Sequence, residues 1–266
     1  MIKNKLIDDI IKIYPDNGLY KTANLIGISV YSLKKILYDN NIILKKNRRV
    51  DYCHFESINK KEVAYFLGFF WADGYISKNE ITITIKNTDA DDILNVLNKF
   101  GSWRINNINK KLNNKIFEQV CIRINDKDIK KFLISNDYNL KSTTSPDKIF
   151  SLIPENIKKY FIRGLIDGDG CFCSKNRNYF SITSSINQDW NLIESIFIKL
   201  GVKYKITKKK RKCGSSSYIV LSSKSDIIKL GDYIYGENYD NIGLKRKYTI
   251  YLEIKNKPVS KYSRFK

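Results

Sequence analysis

The stretch "FIRGLIDGDGCF", Phe161 to Phe172, runs an apolar helical pattern straight into Asp-Gly-Asp-Gly, so a helix patterned for burial ends on two carboxylates two positions apart. "YFLGFFWADGYI", Tyr65 to Ile76, has the same grammar, and its Asp73-Gly74 lies 96 residues before Asp169-Gly170. In each helix small residues recur four apart, Gly68 with Ala72 and Gly164 with Gly168, which places a shallow groove along one side. Two such helices can pack with their backbones nearly touching. That contact sets Asp73 beside Asp169, where both helix dipoles are also negative, and such a cluster calls for a cation. Magnesium, a hard ion that takes carboxylate and phosphate oxygens, fits the demand.

Outward from these helices the chain repeats itself. From residue 57 each half opens with the Asp-Gly helix, then runs hairpin, helix, hairpin and helix. "EITITIK" (80–86) alternates strictly, which predicts a core face of Ile81, Ile83 and Ile85 and an outer face of Thr82, Thr84 and Lys86. "SWRINNI" (102–108) and "FEQVCIRI" (117–124) alternate again and leave Arg104, Asn106, Gln119, Cys121 and Arg123 outside. In the second half "CFCSK" (171–175), "YFSITSS" (179–185), "VKYKITKKK" (202–210) and "YIVLSS" (218–223) follow in the same order. Tyr179, Ser181 and Thr183 share one face, as do Lys203, Lys205 and Thr207. Lys175 and Arg177 lie in the connecting hairpin, and Lys208, Lys210 and Arg211 in the basic run. Such polar, basic and hydroxyl-rich faces suit a sheet that reads DNA, although any half-exposed sheet also alternates.

Charge points the same way. The 266 residues hold 48 Lys and Arg against 27 Asp and Glu, a formal net charge of +21. Residues 200–266 alone carry 17 basic against 5 acidic side chains. A polyanionic partner is the expectation, against the alternative of a lysine-rich composition with solvated faces. Residues 1–48 read as three short helices, "NKLIDDIIKIYP" (4–15), "GLYKTANLIG" (18–27) and "SVYSLKKILYDNN" (29–41). Gly27 permits a tight turn and Ser29 caps the last helix. Ala23, Leu25, Ile28, Leu33, Ile36 and Leu37 form the expected seam, while Tyr31, Ser32, Lys34 and Lys35 face out. This pattern is that of a helix-turn-helix whose second helix enters a major groove, the other possibility being a helical hairpin used for packing. Residues 49–56 form a basic linker, with Arg48 and Arg49 placed for phosphates. The single histidine, His54, excludes histidine-based nuclease chemistry, and the five cysteines show no zinc-ligand spacing. No run is long and apolar enough to span a membrane, and the start lacks a signal-peptide pattern, so a cytosolic, nucleoid-associated or organellar protein is expected.

Both Asp-Gly helices resemble the LAGLIDADG motif of homing endonucleases, "IRGLIDGDG" (162–170) closely and "FLGFFWADG" (66–74) more loosely. The resemblance spans about residues 57–255. It implies an α+β fold, a pseudo-symmetric pair of αββαββα repeats (57–150 and 151–266) that forms a DNA-binding saddle, here behind a small all-α module. It implies a monomer that hydrolyses phosphodiesters of double-stranded DNA at a long asymmetric site, using Mg2+, with Mn2+ or Ca2+ able to occupy the site. Carried over, Asp73 and Asp169 are the metal ligands, with Gly74 and Gly170 supplying the turn and backbone carbonyls. The family's basic residue after the second hairpin falls on Lys141 and Lys245. Asp167 is expected to cap or pack at the interface, and Trp71 replaces its counterpart. Asn87 and Ser184 are weaker candidates for holding water. An RNA maturase and a non-catalytic regulator of the WhiA kind share the scaffold and stand as alternatives.

Overall fold

A computed structural model describes residues 2–40, 42, 52–78, 80–112, 115–175, 177–211, 214–236 and 239–258. The chain divides into two units, Met1–Arg49 and Val50–Lys266. In the larger, α3 (Cys53–Glu56) precedes α4 (Lys61–Asp73), β1 (Gly74–Ile76), β2 (Ile81–Lys86), α5 (Ala90–Leu97), β3 (Arg104–Leu112), β4 (Lys115–Ile124), α6 (Lys127–Ser135) and α7 (Asp147–Ser151). The order then recurs as α8 (Lys158–Asp169), β5 (Gly170–Cys173), β6 (Tyr179–Ser185), α9 (Asn191–Lys199), β7 (Lys205–Arg211), β8 (Gly214–Leu221), α10 (Lys224–Tyr235) and α11 (Lys245–Asn256). Each repeat builds one four-stranded antiparallel sheet, ordered β1-β2-β4-β3 and β5-β6-β8-β7. The expected pair of α+β repeats is therefore present.

The alternation sorts the faces as expected. Ile81, Ile83 and Ile85 are buried against the helices, while Thr84 and Lys86 are exposed and Thr82 is half-buried. Opposite them across the ladder, Ile124, Ile122 and Val120 complete the inner face. In the second sheet Phe180, Ile182, Ile219 and Leu221 do the same work. One continuous apolar core joins both repeats, because α4 and α8 are buried from Val63 to Trp71 and from Tyr160 to Asp167.

The smaller unit has two described helices rather than three. α1 (Ile2–Ile26) runs unbroken through Pro15, and α2 is Val30–Asp39. Ile10, Tyr14 and Ala23 on α1 pack with Leu33 and Leu37 on α2, and this shared seam outweighs the breaker signals around Pro15 and Gly18. Asn17 adds a side-chain bond to the Ile13 carbonyl. Leu25, expected in the seam, is exposed. Gly27 takes φ +72° in the turn, and the Ser29 hydroxyl accepts from the Ser32 amide as the N-cap.

Candidate active site

The two acids meet because their helices touch backbone to backbone. A Cβ on Gly68 would stand 1.9 Å from the Phe161 carbonyl oxygen, and one on Gly164 would stand 2.1 Å from that of Tyr65. Further along, a Cβ on Gly168 would meet the Ala72 methyl at 2.2 Å and an Asp73 carboxylate oxygen at 3.4 Å. Only residues without bulk allow this approach, and it carries the C-terminal ends of α4 and α8, with Asp73 and Asp169, to one place. Asp169 is the more enclosed of the two, and Asp73 is open to solvent on one side. Enclosure first, and the Asp73 charge second, push the Asp169 carboxyl up to about 7. Desolvation also raises Asp73, against the pull of Lys247, Lys141 and Arg246. The pair thus holds a proton that a solvated carboxyl would release, and the titration belongs to both acids together.

Two lysines answer the excess of negative potential at the helix ends. Lys141 Nζ donates to the Ala72 and Gly74 carbonyls at 2.9 and 2.5 Å. Lys247 Nζ, buried, donates to the carbonyls of Ile166, Asp167 and Gly170 at 2.8, 2.5 and 2.6 Å. Burial lowers the pKa of both ammonium groups, while the acids pull them back up. An acid can end a buried helix here because each helix's last carbonyls are met by an ammonium ion. The lysine brought to the second helix is therefore Lys247. Lys245, the sequence candidate, is exposed, and it is its backbone amide that donates, to Asp92 at 2.9 Å. The Gly74 and Gly170 carbonyls, expected to complete a metal shell, each accept from a lysine.

Asp167 holds the second loop in place. It is buried and accepts from Tyr65 Oη and from the Leu244 amide, both at 2.8 Å, just where α11 begins. Trp71, its counterpart, packs edge-on against Tyr138 at 4.9 Å, and Tyr138 Oη donates to the Leu67 carbonyl. Each lysine-bearing loop is also tied to the opposite repeat. Gln188 Nε2 donates to the Thr144 carbonyl and the Leu192 amide to Ser145 Oγ, while Arg246 makes a two-point ion pair with Asp89. Asn87 bonds Glu118 at 3.4 Å, and Ser184 Oγ bonds Gln188 at 2.7 Å.

The outward sheet faces lie alongside. The register puts Thr82, Arg104 and Arg123 in one row, Thr84, Asn106 and Cys121 in the next, and Lys86 with Gln119 in a third. Arg123 donates to Asn106 and Glu80, so part of this row is held by internal bonds. On the second sheet Ser181 and Lys205 share a row, as do Thr183, Tyr218 and Thr207, and Tyr179 pairs with Cys173. Lys175, Arg177 and Lys203 are exposed beside the sheet. Lys208, Lys209 and Lys210 are all exposed; alternation puts Lys209, over the Tyr218 ring at 5.4 Å, on the face of Lys205 and Thr207, and Lys208 and Lys210 on the other face of β7. In the smaller unit Tyr31, Ser32, Lys34 and Lys35 are exposed on α2. Arg48, Arg49 and the Arg211 side chain lie outside the described residues. No described helix is long and apolar enough to cross a membrane.

Residues 156–235 match the family model of a LAGLIDADG-like domain. Among solved structures, the homing endonuclease I-WcaI bound to its DNA recognition sequence is similar over 79% of this chain and 96% of its own, at 14% identity and a TM-score of 0.50. I-LtrWI, a LAGLIDADG homing endonuclease bound to target DNA, is 18% identical over 73% of this chain and 88% of its own, with a TM-score of 0.45. The N-terminal LAGLIDADG domain of DUF199/WhiA is 13% identical over 72% and 95%, with a TM-score of 0.43. No curated protein matches in sequence. Residues 156–235 are thus similar to a LAGLIDADG-like domain, and the two repeats of the larger unit have the fold of the structure of I-WcaI.

Proposed function

We propose that the protein is a site-specific DNA endonuclease that hydrolyses one phosphodiester in each strand of a long asymmetric site, acting as a monomer. One observation carries the reading: two crowded carboxylates end two touching helices, each helix end holds an ammonium group, and two polar sheet faces flank them. A regulator that only binds DNA has no need of acids held against their own repulsion. The donor set fits a divalent metal such as Mg2+, which takes one or two carboxylates and completes its shell with water and phosphate oxygens. Asp73 and Asp169 would hold it, and among the described residues no third acid, Cys or His joins them in a cluster. Bound there, it would neutralise the pair and supply Lewis-acid activation of water and phosphate.

The chain's own residues do the rest. With one of its three N–H donors uncommitted among the described residues, Lys141 can donate to a phosphoryl oxygen on which charge builds. Lys247 acts through its charge. Thr82, Thr84, Lys86, Arg104, Gln119, Ser181, Thr183, Lys205 and Thr207 offer donors and acceptors to groove edges and backbone. Exposed Tyr31, Ser32, Lys34 and Lys35 make α2 a second reader that lengthens the site. Incubating the protein with a randomised duplex library in Mg2+ and sequencing the ends tests this. A staggered cut with four-base 3′ overhangs at one long sequence is expected. Binding to RNA alone would transfer the assignment to a maturase, and binding to DNA without breakage to a regulator.

A further inference from the structure

The two halves of the site do not offer phosphate the same cation. Lys141 keeps a donor in reserve, whereas Lys247 has spent all three on carbonyls and is buried. Lys245 is exposed, and nothing among the described residues hydrogen-bonds its ammonium group, so no lysine of the second half is both free to reach a substrate and held in place as Lys141 is, and Lys247 cannot serve. Arg246, one residue earlier, is the candidate the geometry supplies. Its Nε and Nη2 donate to the two Asp89 oxygens at 2.7 and 2.8 Å, and its side chain remains 47% exposed while that of Asp89 is 7% exposed. Nη1 has no partner among the described residues. Asp89 belongs to the first repeat and Arg246 to the second, so the guanidinium is fixed across the repeat boundary.

We propose that Arg246 is the phosphate-contacting cation of the second half of the site, with Asp89 as the residue that positions it. This rests on the nuclease reading for its catalytic consequence but not for the contact itself. The anchored edge, Nε and Nη2, fixes the plane of the guanidinium, which leaves Nη1 for the nucleic-acid backbone; a planar fork held on one side is suited to that task in a way a flexible lysine is not.

The test compares Arg246→Ala, Arg246→Lys and Asp89→Asn with the full-length wild type on its selected duplex. Two readouts are taken: strand-resolved single-turnover cleavage in Mg2+, and the salt dependence of duplex binding in Ca2+. Arg246→Ala should slow one strand about tenfold more than the other and reduce the salt slope by about 0.9, the loss of one phosphate contact. Arg246→Lys should keep most of the salt slope yet retain the strand bias, since charge survives and the fork does not. Asp89→Asn should give a weaker bias of the same sense. Equal slowing of both strands with an unchanged salt slope would overturn the proposal and return the pair to a structural role. A wild type that binds but does not cut would refute the nuclease reading alone, and the salt slope of Arg246→Ala would still decide the phosphate contact.

Discussion

Asp73 and Asp169 are asked to carry charge where the structure resists it, and this sets the first two expectations. Asp73→Asn or Asp169→Asn should leave duplex affinity nearly unchanged and reduce double-strand cleavage by about a thousandfold or more, the scale of removing a preorganised electrostatic group. A gel assay of linearised plasmid decides it, and wild-type cutting by either variant would remove that acid from the site. The second expectation concerns pH. Asp169, raised to about 7, holds its proton more tightly folded than unfolded. Below about 4 the acid is protonated in both states, so its contribution is intact there; as pH rises through 7 the metal-free protein loses it. Melting in EDTA should therefore show a Tm that falls between pH 5 and pH 8, and added Mg2+ should restore it at pH 8. Asp169→Asn should flatten the profile; a wild type with no pH response would mean that neither enclosure nor the Asp73 charge holds the proton on Asp169. Both acids were legible in the sequence because the motif ends on them. Lys247 was missed, although a signal for it existed: Lys247, Tyr251 and Ile254 follow the i, i+4, i+7 rhythm of the buried face of α11, and Lys245 lies off that face.

At the scale of elements, the α4 and α8 contact decides whether there is a site at all. Gly68 and Gly164 each face backbone of the other helix, which cannot swing aside as a side chain can. Gly164→Ala should cost ~3 kcal/mol, the upper range for overpacking, and should suppress folding or cleavage together. Gly27→Ala, by contrast, meets no atom within 4 Å and strains only its left-handed turn, at about 1 kcal/mol. Denaturant melts of the two variants separate the mechanisms, and equal costs would show that the helices can part without penalty. Strand positions and faces were readable because a period of two leaves little choice once one face is buried, whereas the pairing of β2 with β4 and of β6 with β8 follows from no local pattern. The basic run of β7 was not, since consecutive lysines carry no periodicity and only pairing with β8 puts Lys209 on the face of Thr207 and Lys208 and Lys210 on the other, all three exposed. In α1, Pro15 was weighed as local punctuation, while the long-range seam with α2 was invisible to any local signal.

At the scale of the whole molecule, two units with separate cores raise the question of what the smaller one adds. Both acids, both sheets, Lys141, Lys247 and the Asp89–Arg246 pair fall within Val50–Lys266, whose core is continuous without any residue of the smaller unit. A chain beginning near Asp51 should therefore fold and retain the same pH-dependent Tm. If α2 reads DNA through Tyr31, Ser32, Lys34 and Lys35, the full chain holds two readers on one tether, and each raises the effective concentration of the site for the other. Removing residues 1–50 should then weaken duplex binding by about a hundredfold and shorten the footprint on one side only. The phosphates cut should stay the same, because none of the groups that face them has been removed. Footprinting and end-sequencing of both forms on one duplex measure the three effects together. An unchanged footprint and affinity would show that α1 and α2 serve packing alone, and a shifted cut would show that the smaller unit helps to set the register of the acids on DNA.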